Sequence, residues 1–135
     1  MATIRFDPSH GVVVAEAMIR GPVSSRKILV AIDTGAAYCV IPPEYALAIG
    51  IQPGLNPKMV SITTASGVLH VPVVEMPRIA VGAAEAQEVP CALHSLPASS
   101  RIDGLIGISF LRRFQVFLDF EAGVLKMEPR PRKRV

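Results

Sequence analysis

Apolar residues in this chain come in short runs separated by clusters of turn-forming residues. Residues 3–6 and 12–20 flank Asp7-Pro8-Ser9-His10-Gly11, a layout that predicts a hairpin. Gly21-Pro22-Val23-Ser24-Ser25 is a second turn. Residues 27–32 form a nearly continuous β-branched run, which predicts a strand buried on both faces; it ends abruptly at Asp33-Thr34-Gly35. Residues 38–41 read as a short extended segment. Pro42-Pro43-Glu44 then opens a short helix over residues 45–49, stopped by Gly50. Residues 58–64 and 68–75 flank Ala65-Ser66-Gly67, a hairpin tip. Residues 78–81 and 88–93 predict two further strands, and 95–101 a polar loop. Residues 102–108 are apolar with two glycines and lead into a short helix at 109–114. Residues 115–120 and 124–128 flank Glu121-Ala122-Gly123 as a closing hairpin. The pattern is mostly β with two short helices. Residues 27–50 and 88–114 echo one another as strand, glycine-bearing loop and helix.

Composition sharpens this picture. Val and Ile together number 28 against 10 Leu, and 12 Pro and 10 Gly supply turns, all favouring short strands. A chain of 135 residues has the size of one domain, long enough to bury a core without disulfide or metal staples. Half its residues are apolar and 19% are charged, which excludes a disordered chain. No apolar run approaches the roughly 18–20 residues of a membrane-spanning helix. The amino-terminal stretch lacks a signal-peptide layout, so a cytoplasmic location is expected.

The net charge of +3 is unevenly placed. Arg130, Arg132, Lys133 and Arg134 lie in the last six residues, while residues 1–128 hold 11 acids against 10 bases. A nucleic-acid binder carries its basic face on the folded body. Here residues 129–135 read as a flexible basic tail after a domain over residues 1–128, and no nucleic-acid partner is expected. Cys39 and Cys91 are too few and too far apart for a zinc site, so reduced thiols are expected, with a disulfide as the alternative. His10, His70 and His94 share no metal-ligand spacing, and no phosphate loop or Gly-x-Ser-x-Gly elbow is present. No metal and no cofactor are expected.

The acid at Asp33 stands out. It follows a buried apolar strand, where a charge is costly unless paired or hydrogen-bonded. By itself Asp33-Thr34-Gly35 also fits an ordinary turn whose side chains bond nearby amides. Its surroundings extend the pattern: a glycine-tipped hairpin about 30 residues on, and Asp103-Gly104-Leu105-Ile106-Gly107-Ile108-Ser109-Phe110-Leu111 about 70 residues on. With Phe117-Leu118-Asp119-Phe120 and Gly123-Val124-Leu125 near the end, the chain from about residue 12 to 128 resembles the retropepsin-like aspartic proteases, single-lobed and of the non-viral, often bacterial type.

The resemblance implies an all-β, closed-barrel retropepsin-like fold with one or two short helices. It implies a homodimer with its active site on the two-fold axis. Asp33 takes the role of catalytic aspartate, with Thr34, Gly35 and Ala36 supporting its loop and Thr34 bonding across the dimer interface. Thr64, Ala65, Ser66 and Gly67 fall where the substrate-covering flap belongs. Leu105, Ile106 and Gly107 fall where an apolar-apolar-Gly segment packs under the catalytic loop. Ala37-Tyr38-Cys39 replaces the acidic pair of many viral enzymes, so their substrate preference does not carry over. The flap tip has one glycine rather than a glycine-rich run.

That chemistry needs two carboxylates, one to take a proton from water and one to protonate the scissile carbonyl. Held close together, they cannot both ionise. Asp7, Asp103 and Asp119 are poorly placed to serve, so the second acid is expected from Asp33 of another copy. The implied function is an aspartic endopeptidase acting on peptide or protein substrates. Two rivals are an inactive dimerisation or peptide-binding module of the same fold, and a monomer in which Asp33 is structural.

Overall fold

The computed structural model describes residues 2–131; the tail residues Arg132, Lys133 and Arg134 lie outside the described residues. The strands are β1 (Ala2–Arg5), β2 (Val13–Arg20), β3 (Ser25–Ile32), β4 (Cys39–Ile41), β5 (Lys58–Thr64), β6 (Gly67–Val81), β7 (Ala84–Leu93), β8 (Gly104–Ile106), β9 (Phe114–Asp119) and β10 (Val124–Pro129). Helix α1 (Pro43–Ala48) follows β4, and α2 (Ile108–Leu111) follows β8.

Six strands close into a barrel in the order β2-β3-β8-β4-β7-β6, with β6 returning to β2. Closure leaves no open edge around the ring. The long strand β6 makes this possible, because residues 67–73 pair with β5, 73–81 with β7, and 78–81 also with β2. Strand β5 lies outside the ring, so the β5–β6 hairpin projects from it. The two parallel pairs, β3–β8 and β4–β7, join the two halves that echo one another in sequence. A separate sheet, β1-β10-β9, adds Ala2, Leu125 and Met127 to the barrel core. That core is closed by Ile19, Val30, Ile41, Met76, Ile79, Val89, Ile106 and Phe110, all without solvent exposure.

Strand β4 shows how the pleat builds two compartments. Side chains alternate along a strand. Cys39 and Ile41 therefore enter the barrel, while Val40 joins Val71 and Ala92 in a second apolar cluster flanked by Tyr38, Ile62, Leu96 and Leu105. This second cluster floors the cleft described below.

Several sequence expectations change. Residues 3–6 and 12–20 do not pair as a hairpin: β1 runs against β10, and β2 against β3 and β6. The turn between them carries the chain from one sheet to the other, and Phe6 N–H bonds the Gly123 carbonyl at 2.9 Å. Strand β3 is not buried on both faces along its length, since Leu29 is 36% exposed. Only near its end is an outward position, Ala31, buried. Residues 68–75 and 78–81 are one strand that runs through Pro77. Strand β7 starts at Ala84 rather than at residue 88, because Gly82, at φ +59°, closes a tight turn that pairs Val81 with Ala84. Helix α2 ends at Leu111, leaving Phe114 to open β9. At the end of the domain, β10 continues through Pro129, which pairs with Phe114, and Arg130 Nε donates to the Arg112 carbonyl at 2.8 Å. No described helix is long and apolar enough to cross a membrane.

Candidate active site

Asp33 sits where β3 leaves the barrel. Its N–H donates to the Ile106 carbonyl at 2.9 Å, which ties the turn to β8. Its Oδ1 accepts the Gly35 N–H at 2.8 Å, and Ala36 N–H reaches back to the Asp33 carbonyl at 3.3 Å. The carboxylate is thus oriented by the turn that follows it. A Cβ at Gly35 would lie 3.2 Å from Oδ1 and crowd that bond.

The rest of the loop is held from α2. Ile108 N–H donates to the Ala36 carbonyl at 2.8 Å and Ser109 N–H to the Ala37 carbonyl at 3.0 Å. Cys39 N–H donates to the Ser109 hydroxyl at 3.0 Å, and that hydroxyl donates to the Pro90 carbonyl at 2.7 Å. Close approach of the two segments requires glycine. A Cβ at Gly107 would stand 2.5 Å from the Tyr38 carbonyl oxygen and 2.6 Å from that of Ala36. The three sequence-predicted groups Asp33–Ala36, Leu105–Gly107 and the hairpin tip are therefore brought together around one site. Thr34 and Gly35 are exposed, and among the described residues the Thr34 hydroxyl has no hydrogen-bond partner.

The hairpin tip is a two-residue turn, Ala65-Ser66, between paired Thr64 and Gly67. The Thr64 hydroxyl donates to the Gly67 carbonyl at 3.1 Å and accepts the Ser66 N–H at 3.2 Å. Gly67 takes φ +126°, a conformation open to glycine alone at little cost. Between this hairpin, the Asp33 loop and the segment after β7 lies a cleft of about 800 Å³. Thr64, Ala65 and Ser66 line it with Asp33, Gly35 and Ala36, and Leu105 forms part of its floor. Gly67, Ile106 and Gly107 do not line it; the last two lie beneath the loop.

Sequence reasoning missed Tyr38, Val40, Ile62, Leu69 and the segment His94-Ser95-Leu96-Pro97 as cleft walls. Period-two alternation through β4 and β5 carried the signal for Val40 and Ile62.

Asp33 is the one carboxylate on the cleft among the described residues. The other aspartates are engaged elsewhere. Asp7 accepts from Ser9 in a surface turn, which holds its carboxyl below the usual range. Asp119 accepts the Ala122 N–H, and Asp103 the Leu29 N–H. No group of His, Cys, Asp and Glu that could hold a metal occurs among the described residues.

Behind the loop, Cys39 and Cys91 are register partners across β4 and β7, both free and both fully buried. Burial pushes the Cys91 thiol well above its ordinary value. The hydrogen bond from Cys91 lowers Cys39 to about 7, against the effect of burial, so Cys39 is the thiol of the pair that ionises first.

The family profile described as "gag-polyprotein putative aspartyl protease" matches residues 19–113. The chain belongs to this family. It is a retropepsin-like, single-lobed aspartic protease relative in both sequence and fold. Among solved structures it is similar to a retropepsin-like aspartic protease from Rickettsia conorii, with 21% identity and a TM-score of 0.65, covering 93% of this chain and 87% of that one. At that identity the likeness speaks for the fold. No curated protein matches the chain.

Proposed function

We propose that this retropepsin-like chain is an aspartic endopeptidase that works as a homodimer. The observation that carries the reading is the one cleft carboxylate among the described residues, Asp33, held by its N–H bond to β8 and by the Gly35 N–H and flanked by the exposed Thr34 and Gly35. One carboxylate cannot both activate water and protonate the scissile carbonyl. A second copy, related by a two-fold axis through the Asp33 loops, supplies the partner, with Thr34 bonding backbone across the interface. Strand β9 is one of the two edge strands of its sheet and exposes Phe117, which suits it to association with that copy.

In the dimer, a peptide lies extended in the cleft and pairs its backbone with the β5–β6 hairpin, which acts as the flap. The flap closes over it and excludes water other than the nucleophile. The two Asp33 side chains share one proton, as paired aspartates do in this class of enzyme. The ionised carboxylate takes a proton from water while the protonated one gives its proton to the carbonyl oxygen. The Asp33 that took water's proton then gives it to the departing amine, the other Asp33 takes a proton back from a hydroxyl of the gem-diol as the C–N bond breaks, and the pair again holds one proton. Tyr38, Val40, Ile62 and Leu96 offer apolar walls to the side chains beside the cut.

The test is digestion of a proteome-derived peptide library by wild-type and Asp33→Asn protein. Cuts by wild type alone, inhibited by a statine peptide and not by a chelator, are expected. Equal cutting by the two proteins overturns the assignment, and absence of cutting by either leaves a binding module of the same fold.

A further inference from the structure

Asp103 is the second acid of the sequence pattern, and its place in the fold gives it a task of its own. Its N–H donates to the Leu29 carbonyl at 2.7 Å, while its Oδ2 accepts the Leu29 N–H at 2.8 Å. One residue thus engages both backbone groups of Leu29, the carboxylate standing in for a strand carbonyl. Its Oδ1 accepts the Tyr45 hydroxyl of α1 at 3.3 Å. The Arg26 guanidinium of β3 lies over the Tyr45 ring at 4.0 Å from its centroid, which fixes the ring. Asp103 therefore ties β3, α1 and the start of β8 at one point.

Strand β8 needs such a tie. It has three residues, three pairing positions on β3 and one on β4. So few pairings of its own leave its place to be held by contacts at its ends. Yet its register decides the site: Val30 opposite Gly104 puts the Ile106 carbonyl on Asp33 N–H, and Gly107 under the Ala36 and Tyr38 carbonyls. A slip by one residue would bring a side chain to the place of Gly104, whose added Cβ would strike the Val40 carbonyl.

We infer that Asp103 is a positioning residue for Asp33: its carboxylate locks the register of β8 against β3 and α1, and β8 with α2 in turn holds the Asp33 loop in its working geometry. The catalytic readout rests on the proposed protease activity; the structural readout does not.

The experiment compares Asp103→Ala, Asp103→Asn and Asp103→Glu by peptide cleavage and by amide hydrogen exchange resolved to single residues. Asn keeps one oxygen for Leu29 N–H and presents its amide to the Tyr45 oxygen, so Asp103→Asn is expected to keep kcat near wild type. Asp103→Ala is expected to lower kcat by about 10–100-fold with KM little changed, the scale of an ångström-sized misplacement. It should also lose exchange protection at Asp33, Ile108 and Ser109 N–H, while Ile79 and Val81 in the barrel keep theirs. If Asp103→Ala does not fold, Asp103→Glu gives the same readout, because its extra methylene displaces the carboxylate. Unchanged protection at Asp33 and Ile108 in Asp103→Ala, or in Asp103→Glu where Ala does not fold, overturns the inference. So does an Asp103→Asn protein as inactive as Asp33→Asn, which would make Asp103 a reacting acid. If wild type shows no cleavage, the protease reading fails and the exchange data alone decide the role of Asp103.

Discussion

Gly107→Ala tests the packing under the Asp33 loop at one methyl group. The new Cβ would lie 2.5 Å from the Tyr38 carbonyl oxygen, 2.6 Å from that of Ala36 and 2.7 Å from the Tyr38 carbonyl carbon. Carbon–oxygen contacts normally begin near 3.3 Å, so the loop backbone must retreat by roughly 0.8 Å. The Ala36 carbonyl accepts Ile108 N–H at 2.8 Å, and the Ala37 carbonyl accepts Ser109 N–H at 3.0 Å. That retreat stretches both beyond about 3.5 Å, where a hydrogen bond is lost. Two lost bonds cost about 1 kcal/mol each. Overpacking against backbone adds about 1–3 kcal/mol. Loss of glycine's freedom in the unfolded chain returns about 0.4–1 kcal/mol. The net expectation is a loss of about 3 kcal/mol, a large share of the 5–15 kcal/mol typical of a domain. With no Trp in the chain, urea unfolding is followed by far-ultraviolet circular dichroism. Gly54→Ala is the control, since nothing lies within 4 Å of its added Cβ. A Gly107→Ala protein as stable and as active as Gly54→Ala would refute the packing argument.

Four further outcomes are expected. Specific activity falls on dilution through the dimer dissociation constant, and excess Asp33→Asn chains poison wild type; constant activity at concentrations where sedimentation shows monomer would exclude a shared site. Thr34→Ala weakens association more than it slows the remaining dimers, as activity measured against protein concentration shows. Cys39 ionises near 7 in the fold against an ordinary 9.0. Between those pH values the unfolded chain therefore holds a proton that the folded chain has released. Stability rises with pH through that window, by at most about 1.4 kcal/mol per pH unit, and falls again above it, where Cys91 is held neutral by burial. Cys39→Ser flattens the rise in melting temperature, and a wild-type curve without that rise contradicts the ionisation order. Cutting the chain after Glu128 removes the Pro129–Phe114 pair and the Arg130 bond to Arg112, and lowers stability by about 1 kcal/mol in urea, whereas a cut after Pro131 keeps both contacts.

What the residues alone determined was local chemistry. Runs of β-branched residues between turn clusters set strands, Pro43 and Gly50 bracketed α1, and Gly123 closed the β9–β10 hairpin, because each depends on backbone preferences within a few positions. Asp33 stood out for a local reason too, since an acid ending an apolar strand is anomalous wherever the strand goes, while the role expected of Asp33-Thr34-Gly35 came from the resemblance carried by the later segments. Pairing between distant segments was not legible. Residues 2–5 have the same alternation whether they face β2 or β10, and the choice fell to β10 because Ala2, Leu125 and Met127 then share the barrel core. Ring closure through β6 likewise depends on one strand having three partners, which no local pattern encodes. Tertiary structure also divided the acids. In sequence, Asp33 and Asp103 each follow an isoleucine and precede a glycine within two residues, and the resemblance set Asp103 aside without giving it a task. Only the fold turns one toward an open cleft and spends the other on the backbone of Leu29, since a carboxylate's role is set by the donors that surround it.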